Sequence, residues 1–275
     1  MSMKQIETLV FDYGGVIVNI DDASVVKAME SLGVTAFKRI IHVRKIKRLM
    51  HQYINGLVAE SVTLKEMLSL CRKGTTTEDI EKVLEELCGN LPVERLEALV
   101  KLRKRYKVYL LSNINDTLWQ KSVSQMNQLG YSTDELFDEV FLSYAMRKEK
   151  PSIEIYEEMT QQTGLNPATT LYFDDRAENA EAGKRFGFQS VLVKTNHLEE
   201  HQEWQEIIKN IKELSYAHNR KLTLVALRRS RSCHWLFHRQ SGSCMYYHRH
   251  SVCNTDIQDW SALPMAFWLY SKRIE

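Results

Sequence analysis

The amino-acid sequence predicts an α/β protein, a doubly wound parallel sheet with an inserted helical cap. Three short apolar runs end in small polar or acidic residues, at Asp12, at Ser112 and at Asp174. Stretches with helical spacing alternate with these runs, as expected when helices cover both faces of a parallel sheet. Residues 23–102, between the first two runs, form a longer helical stretch than one crossover requires.

The first predicted strand ends in a carboxylate. Leu9-Val10-Phe11 is an apolar run of the kind found in buried parallel strands, and Asp12 follows it directly. Burying a charge without a partner is costly, so Asp12 indicates a bound cation or a chemical role. Gly14 and Gly15 would let the backbone turn sharply and a ligand approach closely. The alternative is an ordinary turn after a strand.

The helical stretch is predicted to be a lid inserted into the core. Apolar residues recur at helical spacing in residues 25–32, 80–87 and 96–102. Glycine and proline punctuate the stretch between these segments. We therefore predict core residues 1–20 and 103–216, with residues 21–102 as the helical cap.

The remaining core elements follow in order along the chain. Gly164 and Gly187 are expected to end the two helices that precede them. The predicted strands are residues 107–111, 139–142, 170–173 and 190–193, and the predicted helices start near 117 and cover 151–163, 177–186 and 199–214. Ligands bind outside the carboxyl ends of strands in such sheets, so the polar strand ends should line one crevice.

Four of these segments resemble, in order, the four motifs of the haloacid dehalogenase-like (HAD) hydrolases, over roughly residues 5–200. The resemblance implies that Asp12 is the nucleophile and that Ser112-Asn113 binds phosphate. It implies that Lys150 steadies the phosphate and the aspartate, and that the pair Asp174-Asp175 holds Mg²⁺. Taken singly, each motif has an ordinary alternative. The pair Asp174-Asp175 is equally typical of a helix cap. Lys150 could belong to a solvated run of charges, and Ser112 could be a turn residue.

The resemblance also implies an activity and a substrate class. We expect a Mg²⁺-dependent phosphatase that hydrolyses a small phosphorylated metabolite, preferably a sugar phosphate, through an aspartyl-phosphate on Asp12. The Gly14 carbonyl would join the metal ligands Asp12, Asp174 and Asp175, and Gly14 and Gly15 would also face the phosphate. In the cap, His51 and Tyr53 are candidates for contact with the substrate, although packing or surface roles are the ordinary alternative.

One position departs from the pattern. HAD phosphatases usually carry a second Asp two residues after the nucleophile, as general acid and base, where this chain has Gly14. A missing proton shuttle typically costs about 10²–10⁴-fold in rate. The alternative function is therefore a phosphate-binding or regulatory protein with little turnover. A metal-independent dehalogenase is disfavoured, because dehalogenases of the family lack the paired acids of the fourth motif.

Composition sets further limits. The chain has 275 residues, a net charge of +2 and five cysteines without regular spacing, which does not indicate a disulfide framework. No apolar run approaches the roughly 20 residues of a membrane span. We expect a cytoplasmic protein with no nucleic-acid or membrane partner; the sequence does not specify its oligomeric state.

The tail differs in composition from the rest of the chain. Residues 217–275 hold 9 Lys+Arg against 3 Asp+Glu, whereas residues 1–216 hold the remaining 28 against 32. The favoured interpretation is a poorly ordered appendage. The third interpretation is a basic nucleic-acid patch, and the second is a metal module built from the tail's cysteines and histidines. Its candidate ligands are Cys233, His234, His238, Cys244, His248, His250 and Cys253.

Overall fold

The computed structural model of the chain describes residues 6–86, 89–211, 246–248 and 251–253. The chain divides into two compact units, Met1–Glu213 and Leu214–Glu275. The first unit contains every element that bears on the candidate site.

The first unit is built on one five-stranded sheet, in which all neighbouring strands are parallel and the order is β3-β2-β1-β4-β5. This order confirms the doubly wound sheet predicted from the sequence. The strands are β1 (Thr8–Phe11), β2 (Lys107–Ser112), β3 (Glu139–Leu142), β4 (Thr170–Asp174) and β5 (Gln189–Leu192).

The helices lie between and after these strands. Residues 202–211 are also helical and are called α12 here. The others are α1 (Asp22–Ser31), α2 (Ala36–Ile41), α3 (Val43–Ile54), α4 (Glu60–Leu68), α5 (Thr77–Glu85), α6 (Val93–Leu102), α7 (Asp116–Gln128), α8 (Thr133–Leu136), α9 (Ser143–Met146), α10 (Ile153–Thr163) and α11 (Ala177–Phe186).

Side chains of β1 point alternately into two core clusters. Leu9 and Phe11 belong to the larger cluster and Val10 to the smaller, and all three are fully buried. Phe11 stacks on Phe173 with ring centroids 5.0 Å apart, and Trp204 of α12 meets Phe11 edge-on at 6.0 Å. The sheet is thus covered on both faces, which explains why β1 reads as a continuous apolar run.

The strand register sets the positions of the acidic strand ends. Phe11 is paired with Phe173, so Asp12 and Asp174 occupy equivalent positions at the same edge of the sheet. The backbone N–H of Asp12 donates to the carbonyl of Phe173 at 2.8 Å. Ser112 is the last residue of β2, on the other side of β1.

Helices α1–α6 lie between β1 and β2, where the cap was predicted. Before and after α1–α5, the chain is joined by an antiparallel bridge between Asn19 and Asn90, whose backbones exchange hydrogen bonds of 2.8 and 2.9 Å. Helix α6 follows this bridge and contacts β2 and α8 of the core. The predicted cap boundary at residue 102 stays a prediction; we propose that the cap ends near Asn90 and that α6 belongs to the core.

The second unit contains a short antiparallel hairpin of β6 (Tyr246–His248) and β7 (Ser251–Cys253), in which Tyr246 pairs with Cys253. The predictions of a poorly ordered appendage, a metal module or a nucleic-acid patch otherwise lie outside the described residues. Within the described part of the chain, no helix is long and apolar enough to span a membrane.

Candidate active site

Lys150 lies between two carboxylates at the edge of the sheet. Its Nζ is 2.9 Å from Oδ1 of Asp12 and 2.7 Å from Oδ2 of Asp174, and it donates to the Leu111 carbonyl at 2.8 Å. The Lys150 side chain is fully buried. The structure therefore brings together three of the residues predicted from separate motifs. Asp12 and Asp174 lie at the ends of β1 and β4, and Lys150 reaches the end of β2 through the Leu111 carbonyl.

Asn113 fixes the backbone of Lys150. Its Nδ2 donates to the Lys150 carbonyl at 2.8 Å, and its Oδ1 accepts from the Lys150 N–H at 2.9 Å. The following Lys150–Pro151 peptide bond is cis. The predicted phosphate binder Asn113 thus has its side chain engaged in holding the lysine. Ser112, the other predicted phosphate binder, is buried at 3% exposure, directly after Leu111.

Asp174 is fully buried and hydrogen-bonded through both oxygens. Its Oδ1 accepts from the Arg176 N–H at 2.9 Å and from Asn179 Nδ2 at 3.1 Å, and its Oδ2 accepts from Lys150 and from the Tyr172 hydroxyl. These four donors satisfy both oxygens of the buried carboxylate. Sequence reasoning missed Tyr172, whose hydroxyl inside an otherwise apolar strand was the available signal, since buried tyrosines normally find a partner.

Asp12 presents one held oxygen and one free oxygen. Oδ1 accepts from the Tyr13 N–H at 2.6 Å and faces Lys150. Within the described part of the chain, no donor is bound to Oδ2. A carboxylate with one oxygen fixed and the other open suits nucleophilic attack or metal ligation.

Asp12, Asp174 and Asp175 form the candidate metal site. One ligand oxygen from each residue lies within 4.8 Å of the other two. Mg²⁺ prefers oxygen ligands and is usually held by one or two carboxylates together with water and substrate phosphate, so this donor set fits it. The Gly14 carbonyl accepts no hydrogen bond from any described residue and is a further candidate oxygen.

The structure requires glycine at position 15 but leaves space for a Cβ at position 14. Gly15 has φ +72°, and a Cβ there would lie 2.3 Å from Oδ2 of Asp175, which in turn accepts from Thr195 Oγ1 at 2.8 Å. Glycine is therefore required at position 15 by backbone and by space. A Cβ on Gly14 would lie 3.7 Å from Ile20 Cγ2, in ordinary contact.

The ionisable groups influence one another strongly. Burial raises the pKa of Asp12 to about 7, although the charge of Lys150 opposes this shift. Burial would lower the pKa of Lys150, but the charges of Asp12 and Asp174 outweigh it and raise that pKa above its ordinary value. Burial also raises the pKa of Asp175. Three carboxylates around one ammonium leave excess negative charge, which a divalent cation would neutralise.

The two cap candidates occupy different surroundings. His51 on α3 is half exposed, and its Nε2 lies 3.0 Å from the carboxylate of Glu149, the residue before Lys150. Tyr53 is 3% exposed and packs in the main core cluster, and its carbonyl accepts from Asn115 Nδ2 at 2.8 Å. His51 thus lies next to the loop that carries Lys150, whereas the Tyr53 side chain lies in the core.

Arg95 on α6 braces the loop that carries the glycines, a role that no sequence pattern indicated. Its guanidinium is 2% exposed and donates to the carbonyls of Val16 at 2.8 Å and Asn196 at 2.9 Å. It also forms a two-bond contact with Glu199, at 2.6 and 3.0 Å.

Asn196 continues this brace toward the cap connection. Its N–H donates to the Gly15 carbonyl at 2.7 Å. Its side-chain amide exchanges two 2.8 Å hydrogen bonds with the backbone of Ile20. One buried cation thereby links the loop after β1 to the loop after β5.

The family model for haloacid dehalogenase-like hydrolases matches residues 6–187, and the parallel sheet with its acidic strand ends agrees with this match. The chain belongs to this family. It is 29% identical over 186 residues to the D-ribitol-5-phosphate phosphatase of Bacteroides thetaiotaomicron, an alignment that covers 67% of this chain and 90% of that protein.

Solved structures of similar proteins agree with this assignment. The magnesium complex of the HAD family enzyme BT-2542 from Bacteroides thetaiotaomicron superposes with a TM-score of 0.64 at 26% identity, covering 72% of this chain and all of that one. The complex of the same enzyme with magnesium and inorganic phosphate has a TM-score of 0.63 at 26% identity, and the match covers 70% of this chain and 96% of that one. A predicted HAD-like family hydrolase from Porphyromonas gingivalis has a TM-score of 0.62 at 26% identity, and the match covers 70% of this chain and 93% of that one.

Proposed function

We propose that the chain is a Mg²⁺-dependent phosphatase that hydrolyses the phosphate monoester of a sugar or sugar alcohol through an aspartyl-phosphate on Asp12. The observation that carries this proposal is the buried Lys150, which lies within 3 Å of both Asp12 and Asp174. The likeness to a ribitol-phosphate phosphatase supports the substrate class.

In the proposed first step, the free Oδ2 of Asp12 attacks phosphorus. The new bond joins this oxygen to phosphorus as the bond from phosphorus to the substrate's alcohol oxygen breaks. Lys150 holds Oδ1 of Asp12 still and places positive charge beside the transferring group, which is how proteins mainly assist phosphoryl transfer. A bound Mg²⁺ would neutralise phosphate-oxygen charge. The departing alkoxide takes a proton from water, because position 14 offers no acid.

In the second step, water attacks the phosphorus of the aspartyl-phosphate. The bond between phosphorus and Oδ2 breaks, inorganic phosphate leaves and the carboxylate of Asp12 is restored. Ser112 and the backbone N–H of Gly14 are proposed to hold phosphate oxygens, and His51 to contact the substrate from the cap. The predicted phosphate contact of Gly15 is not included, because the Gly15 N–H donates to the Val18 carbonyl at 2.8 Å.

The test is phosphate release from a panel of sugar and sugar-alcohol phosphates, with Mg²⁺ or with a chelator. We expect metal-dependent turnover by the natural protein. Asp12→Asn should abolish turnover, and the exposed Asp134→Asn on α8 should keep it. Intact-mass analysis of rapidly quenched reactions should detect one added phosphoryl group on the natural protein. Turnover that survives chelation, or that survives in Asp12→Asn, would refute the mechanism.

A second candidate function is phosphate binding with little turnover, favoured by the glycine at position 14. It predicts that inorganic phosphate and Mg²⁺ bind, but that no substrate in the panel is hydrolysed at a useful rate. A phosphoryl-enzyme that accumulates and persists for many minutes would favour this candidate over the phosphatase.

A further inference from the structure

Helix α2 exposes large apolar side chains and buries none of its residues. Phe37, Ile40 and Ile41 are 71%, 75% and 57% exposed, and Val43 at the start of α3 is 45% exposed. Single exposed apolar residues are common, but four within seven positions form an apolar cluster. Such clusters mark interaction sites in soluble proteins.

The sequence around this cluster contains cations but no acidic residues. Residues 31–59 contain six Lys and Arg and no Asp or Glu. Arg39 and Arg48 reach acids from outside this stretch, Glu30 at 2.7 Å and Glu66 at 2.6 Å.

Other cations in the stretch keep an uncompensated charge. Lys38 donates to the carbonyls of Leu70 and Cys71, and Lys45 donates to the hydroxyl of Ser69, so their described partners are uncharged. Arg44 and Lys47 are exposed and have no ion pair with any residue that the structure describes. We call the exposed apolar residues and these two cations the α2–α3 patch; it consists of Phe37, Ile40, Ile41, Val43, Arg44 and Lys47.

The chemistry of the patch limits what can cover it. A second copy of the chain would bring the same uncompensated cations face to face in a symmetric contact, which is unfavourable. A nucleic acid would neutralise Arg44 and Lys47 but would leave the three aliphatic side chains in water. A surface that offers both negative charge and an apolar layer meets both requirements.

The composition led us to expect no membrane partner; from the exposed side chains we propose instead that the α2–α3 patch binds the surface of membranes that contain anionic lipid. Short helices with exposed aromatic and aliphatic groups beside Lys and Arg lie in the membrane interface, with the apolar groups among acyl chains and the cations at the headgroups. Binding is peripheral and reversible, and weakens with added salt because the charge contribution is screened. The proposal does not depend on the proposed activity, so it is tested without substrate.

The experiment is co-sedimentation of the full chain with vesicles of phosphatidylcholine alone or mixed with phosphatidylglycerol. We expect binding only to the mixed vesicles, and less binding as salt is raised. Arg44→Gln/Lys47→Gln should lower the partition coefficient roughly 25-fold, about fivefold for each cation. Phe37→Ser/Ile40→Ser should lower it at least about tenfold.

Matched variants outside the patch control for charge and apolar surface. Lys184→Gln/Arg185→Gln removes two exposed cations of α11, and Leu129→Ser removes a 40% exposed apolar side chain. Both should bind the mixed vesicles as well as the natural chain does. Thermal melting of every variant should match the natural chain, because the substituted residues are exposed.

Three results would overturn the proposal. The first is full binding by both patch variants, which would assign membrane binding to other basic residues such as those of 217–275. The second is no binding of the natural chain to the mixed vesicles, which would leave an acidic protein partner as the occupant. The third is a dimer of the natural chain that the patch variants convert to monomer in analytical ultracentrifugation.

Discussion

Gly15 and Asp175 are packed so closely that a methyl group on the glycine would overlap the carboxylate. A Cβ at position 15 would lie 2.3 Å from Oδ2 of Asp175, and 3.0 Å from Cγ2 of Thr195, which holds that carboxylate. The turn after β1 and the loop after β4 are therefore mutually positioned by contact. This contact helps to position Asp175 relative to Asp12.

Gly15→Ala should displace Asp175 and weaken Mg²⁺ binding and activity at least about tenfold. The left-handed φ of +72° adds strain of about 1 kcal/mol. Gly164→Ala is the matched control, because Gly164 has φ +67° and nothing within 4 Å of its Cβ position. Both variants should lose similar stability in thermal melts, but only Gly15→Ala should lose metal affinity in calorimetry. Equal metal affinity in the two variants would show that the close contact is unimportant.

Lys150→Met should lower kcat at least about 10²-fold, because the charge beside the transferring group is lost. It should also destabilise the metal-free protein by about 3–5 kcal/mol near neutral pH, since Asp12 and Asp174 lose their shared buried cation. The stability loss should shrink in acid as Asp12, whose pKa burial raises to about 7, takes up a proton. Lys148→Met is the control: this half-exposed lysine pairs with Glu158, and its loss should cost at most about 1 kcal/mol. A Lys150→Met protein as stable as the control in urea titrations would contradict this account.

Asp12→Asn should stabilise the metal-free protein in mild alkali. The pKa of Asp12 is raised by burial from 3.8 to about 7, so between these values the folded protein binds more protons than the unfolded chain. Stability therefore falls as pH rises through this window, and the penalty is complete above about pH 7. The variant removes this penalty, while losing a contact with Lys150 offsets part of the gain.

The net gain should be on the order of 1–2 kcal/mol near pH 8 and smaller near pH 5. Chelator-treated samples melted at both pH values measure it. Saturating Mg²⁺ should stabilise the natural protein more than the variant. The folded site of the natural protein has one more carboxylate, so it should bind the metal more tightly. A lower melting temperature for Asp12→Asn in mild alkali would be inconsistent with the raised pKa.

Arg95→Met should cost about 2–4 kcal/mol, because the carbonyls of Val16 and Asn196 lose a buried charged donor. Glu199→Gln should cost at most about 1 kcal/mol, since Glu199 is half exposed. If Arg95 positions the loop after β1, its variant should lower kcat more than it changes KM at a temperature where it is folded. Equal losses of stability for the two variants would show that the carbonyl contacts contribute little.

Gly14→Asp should raise the rate of the proposed hydrolysis about 10²-fold for substrates with poor leaving groups. A Cβ at position 14 would make only an ordinary contact with Ile20 Cγ2, at 3.7 Å, and the φ of Gly14 lies outside the left-handed region. Aryl phosphates, which need no acid, should gain little and serve as the control substrates. Gly14→Ala is the control variant, because it adds the Cβ without the carboxyl group. Equal gains on both substrate types would exclude a proton-shuttle role for the new side chain.

The sequence was most informative where polar residues follow apolar runs. Continuous apolar runs indicate buried parallel strands, and this pattern placed Asp12, Ser112 and Asp174 at strand ends. The observed sheet order agrees with this placement. The bounds of α11 and β3 match the prediction, since Gly187 and a short apolar run define them locally. Local chemistry therefore determined the elements and the edge of the sheet where they converge.

Sequence spacing was less informative about which layer a helix joins. Helix α6 has the same apolar periodicity as the cap helices, yet it contacts β2 and α8. The periodicity of α6 shows that one of its faces is buried but not which element buries it. Tyr53 was a candidate for substrate contact or for packing, and its side chain is buried among core side chains.

The sequence by itself determined the sheet, its acidic edge and the identity of the residues that meet there. Only the tertiary structure decided how they meet: Lys150 between Asp12 and Asp174, Asn113 holding the lysine backbone, Tyr172 on Asp174 and Arg95 under the loop after β1. The physical reason is that strand character depends on neighbouring residues along the chain. Hydrogen bonds between side chains far apart in sequence depend instead on the packing that brings their loops within 3 Å.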